Sequence, residues 1–333
     1  MNKRSIITMI HAVLLVGIMC TLLAACTSKK DPVAAFPDKE VRVIVAFAPG
    51  GQTDLIIRKL NEIMQKDKNI PLSILTVNMP GGNTADALNA TKSAQPDGYT
   101  YFLHHTNLVT NYIMGNITIK YDEFEMVGEV IEQGFGLVAR IDDNRWPTAV
   151  EFIRDAKANP GTISVCFPGF ASPGHFALLQ LLAANNALGT VKEVPYPGGA
   201  ESITAHLGGH VDLRATNMGD SARFVKAGEI KYLCMISQER NPDYPDVISL
   251  KDMGSSQEGL ILRTGFFAPK GTPKGIQDKF MGYVKQAAET DEFKEFAKNS
   301  IMSIVLRNGA DFKAKYDEDF ASVTELAKGL TKK

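Results

Sequence analysis

Two α/β lobes, each a mostly parallel sheet flanked by helices, are the architecture this sequence predicts. Three observations lead to it. Strand-like and helix-like runs alternate along the chain, which argues for parallel sheets with crossover helices. Short glycine- and proline-rich breaks separate those runs. The body, of about 300 residues, is larger than a single core usually supports.

The elements follow in order. Val41 to Phe47 is an apolar run suited to a buried strand, broken by Pro49-Gly50-Gly51. Ile56, Leu60, Ile63 and Met64 then share one face of a helix at i, i+4, i+7 and i+8. Leu72 to Val77 is the next strand, Pro80-Gly81-Gly82 breaks it, and Thr84 to Ala94 reads as a helix. Pro96-Asp97-Gly98 is a turn signal before the strand Tyr99 to Leu103. A second set begins near Leu137. Pro147-Thr148 opens a helix that closes at Pro160-Gly161, Ser164 to Phe167 is a strand, and Pro168 to Gly174 is a loop. A helix from His175 to about Leu188 follows. Tyr196-Pro197-Gly198-Gly199 precedes another, which ends at Gly208-Gly209. Val211 to Thr216 and Ile230 to Ser237 are further strands. The tail from Gly265 holds one strand, then Thr272 and Pro273 as N-cap and N1 of a long helix, then more helix. Lobe 1 is expected over residues 36–138 with 260–333 and lobe 2 over 139–259. The chain then crosses near Leu137 to Arg140 and Ser255 to Leu262.

The first 35 residues read separately. Lys3 and Arg4 precede an apolar run from Ile6 to Ala25, and Leu23-Ala24-Ala25-Cys26 closes it. A basic start, an apolar middle and a small-residue cut site make a secretory signal, residues 1–25. The tetrapeptide resembles the bacterial lipobox, in which the Cys is acylated and becomes the new N-terminus. Residues 26–35 read as a tether with no periodic apolar face. The expected location is therefore the cell membrane, with the body lipid-anchored through Cys26 and facing the periplasm or the exterior. No later stretch approaches the ~20 apolar residues of a spanning helix. Removal of Lys3 and Arg4 shifts the net charge from −1 to −3, which leaves no footprint for nucleic acid. Cys166 and Cys234 sit in apolar strand-like runs and read as buried thiols.

Candidate chemistry gathers in four strand-to-helix turns: Pro49-Gly50-Gly51-Gln52-Thr53, Pro80-Gly81-Gly82-Asn83-Thr84, Ser172-Pro173-Gly174, and Pro197-Gly198-Gly199-Ala200. Glycine turns the backbone sharply and leaves amides uncovered. The first amides of a helix lack internal partners and carry partial positive charge, so such turns suit anions. Gly51 is expected to have φ > 0 or to let backbone approach a ligand closely. Thr53, Thr84 and Ser172 add hydroxyls. Asp54, His104, Phe170, His175, Tyr196 and Asn217 complete the candidate ligand-binding set.

Other patterns are weaker. His206 and His210 have helical metal-ligand spacing, but Gly208-Gly209 end the helix between them. Ser172 and His175 are spaced like a nucleophile and its base. Phe170 stands where the nucleophile elbow needs Gly. No Gly-x-x-x-x-Gly-Lys or Gly-x-Gly-x-x-Gly occurs, so no cofactor is expected.

The run Pro49-Gly50-Gly51-x-x-Asp54-x-x-x-Arg58 resembles the first motif of the solute-binding proteins of tripartite tricarboxylate transporters, the Bug family. Asn78-Met79-Pro80-Gly81, Pro96-Asp97-Gly98-Tyr99-Thr100, Val194-Pro195-Tyr196 and Gly208-Gly209-His210-Val211-Asp212 resemble later ones. Gly169 with Ser172 and His175, and the run Ala268 to Pro273, fit as well. The resemblance covers about residues 36–333. It implies a periplasmic-binding-protein (Venus-flytrap) fold and no enzyme activity. It also implies a small carboxylate held by loop amides and waters rather than arginines, and large and small membrane transporter subunits as partners. The chain departs from the motifs at Gly82-Asn83, at Ala171 before Ser172, and at Pro197 after Tyr196. Alternatives from other classes are a lipoprotein presenting its ligand to a sensor kinase, and a secreted hydrolase using Ser172 or a histidine.

Overall fold

The structure, a computed structural model, describes residues 31–330. The signal sequence, Cys26 and most of the tether lie outside the described residues. At the end of the tether, Asp31 accepts a hydrogen bond from the Val33 amide and caps one helical turn, Pro32–Ala35. A capping side chain and a proline at N1 suffice for a turn without an apolar face.

From Lys39 onward the chain builds two mixed sheets. The first contains β1 (Val41–Val45), β2 (Ile74–Asn78), β3 (Thr100–His105), β4 (Glu125–Gln133), β10 (Leu262–Ala268) and β11 (Ser303–Asn308), in the order β11-β4-β10-β3-β1-β2. The second contains β5 (Phe135–Arg140), β6 (Ser164–Pro168), β7 (Lys192–Tyr196), β8 (Leu213–Asn217) and β9 (Ile230–Met235), in the order β7-β6-β8-β5-β9. Strands β1, β2 and β3 pair in parallel, as do β6, β7 and β8. The strands that tie each sheet together run antiparallel: β10 against β3 and β4, and β5 against β8 and β9.

Among the described residues ten helices cover the sheets: α1 (Gln52–Lys66), α2 (Ala85–Lys92), α3 (Asn107–Ile113), α4 (Ala149–Ala158), α5 (Pro173–Ala184), α6 (Gly199–Leu207), α7 (Met218–Lys226), α8 (Lys274–Ala288), α9 (Asp291–Asn299) and α10 (Gly309–Leu330). The face of α1 read from its periodicity is buried at Ile56, Leu60, Ile63 and Met64. No described helix is long and apolar enough to cross a membrane.

Several boundaries differ from the sequence reading. Strand β4 ends at Gln133 and β5 begins at Phe135, so the chain changes sheets at Gly134, ahead of the expected Leu137. Strand β4 escaped notice because Glu125, Glu129 and Glu132 interrupt its apolar residues. Helix α5 starts at Pro173 because Ser172 caps it, its Oγ accepting from the His175 amide at 3.3 Å. It stops at Ala184, before Asn186 at φ 51°. In the tail Thr272 is not the cap. Its hydroxyl donates to the Pro269 carbonyl, so Pro273 becomes the N-cap and α8 begins one residue later. The tail also hides β11 between two helices. Among the described residues the cysteines, Cys166 on β6 and Cys234 on β9, are buried free thiols. Burial pushes both up to about 12.

Beside the Gly134 crossing lies a cluster of buried charge. Arg263 of β10 reaches Asp319 of α10 at 3.0 Å and also pairs with Glu132 of β4. Arg307 of β11 reaches Glu129 at 2.6 Å. Three carboxylates share two guanidiniums, and burial pushes two of them, Glu129 and Asp319, above their usual range. Burial, then Glu132, pushes Glu129 up to about 7 against the pull of Arg307 and Arg263. The unfolded chain loses the Glu129 proton near 4.5. The folded state therefore binds more protons between about pH 4.5 and 7, and stability falls as pH rises through that window. In Glu129→Gln this decline should flatten. Thermal unfolding across the window checks it, and an unchanged slope would assign the proton elsewhere.

Candidate functional site

A cleft of about 1600 Å³ lies between the two sheets, and all four glycine-rich turns contribute to its lining. The first turn is built around Asp54. Gly50 takes φ +81° and its amide donates to Asp54 Oδ2 at 2.8 Å. Arg58 Nε and Asn78 Nδ2 donate to the same carboxylate. Burial opposes ionisation of Asp54, but these donors outweigh it and hold the carboxyl below its usual range. The left-handed residue is thus Gly50. Gly51, expected to be strained, has an ordinary φ of −70° and serves as the uncapped N-cap of α1. Gly51, Gln52 and Thr53 face the cleft, whereas Pro49, Gly50 and Asp54 lie outside its lining and shape the turn.

In the second turn Gly81 and Gly82 line the cleft. The space a side chain on Gly81 would need holds the Asp86 carboxylate. The side chain of Asn83 lies outside the described residues. Thr84, at φ +85°, contacts His104 Nε2 at 3.3 Å. His104 itself is fully buried, and burial lowers it to about 4, so the ring is neutral at pH 7. Strand alternation instead brings the next residue, His105, to the cleft, stacked on Phe47 at 5.0 Å.

In the third turn Phe170 and Ser172 line the cleft, and Phe170 is 58 % exposed. His175 is buried. Its Nδ1 accepts from the Ala171 amide at 3.0 Å and its Nε2 meets Glu193 at 2.9 Å. Those bonds hold the loop at Ala171, where φ is +57°. His175 is therefore oriented away from Ser172 Oγ, which caps α5. Tyr196 stays off the lining, its carbonyl accepting from the Gly169 amide.

At the fourth turn Gly198 and Gly199 open α6 with no side-chain cap and line the cleft. Asn217 lines it too. It caps α7, accepting from the Asp220 amide and donating to Asp220 Oδ2, both at 2.9 Å. His206 is buried inside α6, while His210 is exposed beyond its end. Among the described residues no three His, Cys, Asp or Glu side chains are grouped to hold a metal.

The sequence reading missed the charge on this wall. The ionisable lining residues other than His105 are Arg214, Asp220, Arg223 and Lys226, three cations against one carboxylate, all from β8 and α7. The first sheet's side supplies only neutral groups such as Gln52, Asn107 and Asn111. The sequence hid it: Val211 to Thr216 alternates apolar and polar residues, so Arg214 falls in phase with Asp212 and Thr216 and reads as a solvent-facing residue. The two walls meet at Gly219. A Cβ there would fall 2.3 Å from Gln52 Nε2, 2.4 Å from Gln133 Nε2 and 3.0 Å from the Ser300 carbonyl.

Two α/β lobes facing one another across a cleft edged by helix N-termini define a solute-binding receptor fold. Residues 56–328 match the tripartite tricarboxylate transporter family receptor, and the chain belongs to that family of transport receptors, which are not enzymes. A UPF0065 protein from Bordetella pertussis is 27 % identical over 289 residues, 86 % of each chain. The periplasmic binding protein BugD superposes with a TM-score of 0.73 at 26 % identity, over 88 % of this chain and 98 % of its own. MatC from Rhodopseudomonas palustris, solved with bound malate, gives 0.73 at 24 % identity, over 87 % and 99 %.

The first turn depends on Asp54, whose side chain is 1 % exposed. Asp54→Ala strips the acceptor from Gly50, Arg58 and Asn78 at once and should destabilise the fold by about 3 kcal/mol. Urea denaturation measures it. A loss under about 0.5 kcal/mol would mean the turn holds its shape unaided.

Proposed function

We propose that this chain captures a small di- or tricarboxylate outside the cytoplasm and delivers it to a tripartite tricarboxylate-type transporter with large and small membrane subunits. One observation carries the reading: a cleft edged by helix N-termini has a net cationic wall on one side and neutral donors on the other. The malate bound to MatC is a dicarboxylate, whose charge suits a net cationic wall. Each helix N-terminus contributes about 0.3–2 kcal/mol towards a carboxylate, and charge-assisted hydrogen bonds about 1.5–3 kcal/mol each. A few together reach the roughly −8 kcal/mol of a micromolar site.

The cleft exceeds the ~300–1,000 Å³ usual for a bound small molecule, which supports closure on the ligand. We assign the lobes to the two sheets, with the boundaries expected at 138/139 and 259/260 moved to Gly134 and to the start of β10 at Leu262, and the crossings serve as hinges. A ligand touching both lobes gains affinity in the closed state and so drives closure. A thermal-shift panel of mono-, di- and tricarboxylates, amino acids and sugars, followed by small-angle scattering, tests this. The expected result is stabilisation by a di- or tricarboxylate with a fall in radius of gyration. Tight binding of a neutral sugar, or binding with no compaction, would overturn it.

The location belongs to the same proposal. Acylation at Cys26 would hold the receptor at the membrane, and stable anchoring takes more than one chain. Intact-mass analysis of the membrane fraction should find a chain starting at an acylated Cys26, and Cys26→Ala should release the protein. A variant that stays membrane-bound would sink the idea.

A further inference from the structure

Arg214 is 1 % exposed, yet it forms part of the cleft lining. Its Nε donates to Ser202 Oγ at 2.9 Å. Its Nη2 stands 4.0 Å from Asp220 Oδ2, at the outer limit of an ion pair. Its Nη1 is buried with no hydrogen-bond partner. A guanidinium has five donors and cannot lose its proton, so a buried one left part-filled is held at an energetic disadvantage that an incoming anion relieves.

The space in front of this group is bare. A Cβ on Gly199 would lie 3.8 Å from Arg214 Nη2 and 3.4 Å from Asp220 Oδ2, so both groups lie against the uncapped start of α6. Glu201, in the first turn of α6, is exposed, and its carboxylate lies beside Gly198. Asp220 is held by Asn217 Nδ2 at 2.9 Å rather than by Arg214. A carboxylate seated on Arg214 and the α6 amides would lie beside Asp220. Two bare carboxylates repel there, and a donor between them turns the contact into a hydrogen bond.

We propose that Arg214, Asp220 and the open α6 terminus at Gly198-Gly199 form the specificity-determining end of the cleft, reading a carboxylate whose adjoining carbon carries a hydrogen-bond donor. The inference rests on the carboxylate reading above and narrows it to 2-hydroxy or 2-amino acids. It goes beyond amides and waters, because the charge is read by a buried arginine and the neighbouring donor by an aspartate.

Calorimetry on the full-length chain in detergent, with succinate, malate and aspartate as probes, tests it. Wild type should bind malate or aspartate at least roughly tenfold more tightly than succinate, and the tighter of the two identifies the donor as hydroxyl or ammonium. Arg214→Met should weaken all three by roughly 10- to 100-fold. Arg214→Lys, which keeps the charge but not the fork, should fall between, and it serves as the second reading if the methionine variant does not fold. Asp220→Asn removes the carboxylate that repels the ligand, so it should raise the succinate affinity and bring the three affinities within about threefold of one another. Dicarboxylate binding that survives in both Arg214 variants, or a succinate affinity equal to the others in wild type, would overturn the subsite and leave the carboxylate reading standing. Failure of all three acids to bind wild type would overturn both.

Discussion

The paired departure of the chain from its first sheet depends on buried charge. Strands β4 and β10 lie side by side with Arg263 opposite Glu132 and Leu262 opposite Gln133. One residue past Gln133 the chain enters the second sheet, and Leu262 is where it comes back. Glu129, Glu132, Asp319, Arg263 and Arg307 therefore sit at the root of both crossings. Such a network gives little net stability over an apolar core, but removing one member strands the others at a cost of roughly 3–5 kcal/mol. Its value here is register. A one-residue slip of β10 against β4 would part Arg263 from Glu132 and turn the alternating side chains to the wrong face. Because the crossings share one locked base, motion of the second sheet must be absorbed beyond it, at Gly134 and in the segment before β10.

The cleft shows how little an anion-binding turn reveals by itself. Each glycine turn carries a polar group of this chain's own: Asp54 at Gly50, Asp86 at Gly81, Ser172 at the start of α5, Asp220 near Gly199. Those groups set the backbone and answer part of the amides' demand for an acceptor. What distinguishes the walls is their side chains. Uncharged donors such as Gln52 and Asn107 face three cations and one carboxylate across the gap. An anion between them meets field from one side and geometry from the other.

How much of this was legible in the sequence varied with the physical signal. Helices with a periodic apolar face, such as α1, and strands rich in β-branched residues, such as β1, were read to within a few residues. The turns were found because glycine and proline punctuate. Strand β4 was lost because buried Glu129 and half-buried Glu132 look like surface residues until the arginines that face them from β10 and β11 are known. His104 and His105 could not be told apart, since alternation decides which faces the cleft only once the strand's register is fixed. Asp54 and His175 stood out as motif residues, but their hydrogen bonds run to backbone that no pattern specifies. Arg214 was hidden by the alternation of its strand, which puts it on the polar face with Asp212 and Thr216, and only the structure shows that this face is buried there.

The two cysteines carry a consequence for life outside the cytoplasm. Cys166 and Cys234 are buried on separate strands of the second sheet, and burial lifts their thiols from 9.0 to about 12. Only thiolate attacks a disulfide, so the reactive fraction at neutral pH falls by about a thousandfold relative to an ordinary cysteine. Oxidants and exchange catalysts thus find almost nothing to react with once the second sheet has formed. Folding shields Cys166 and Cys234 by burying them, and the second sheet presents no thiol poised for exchange.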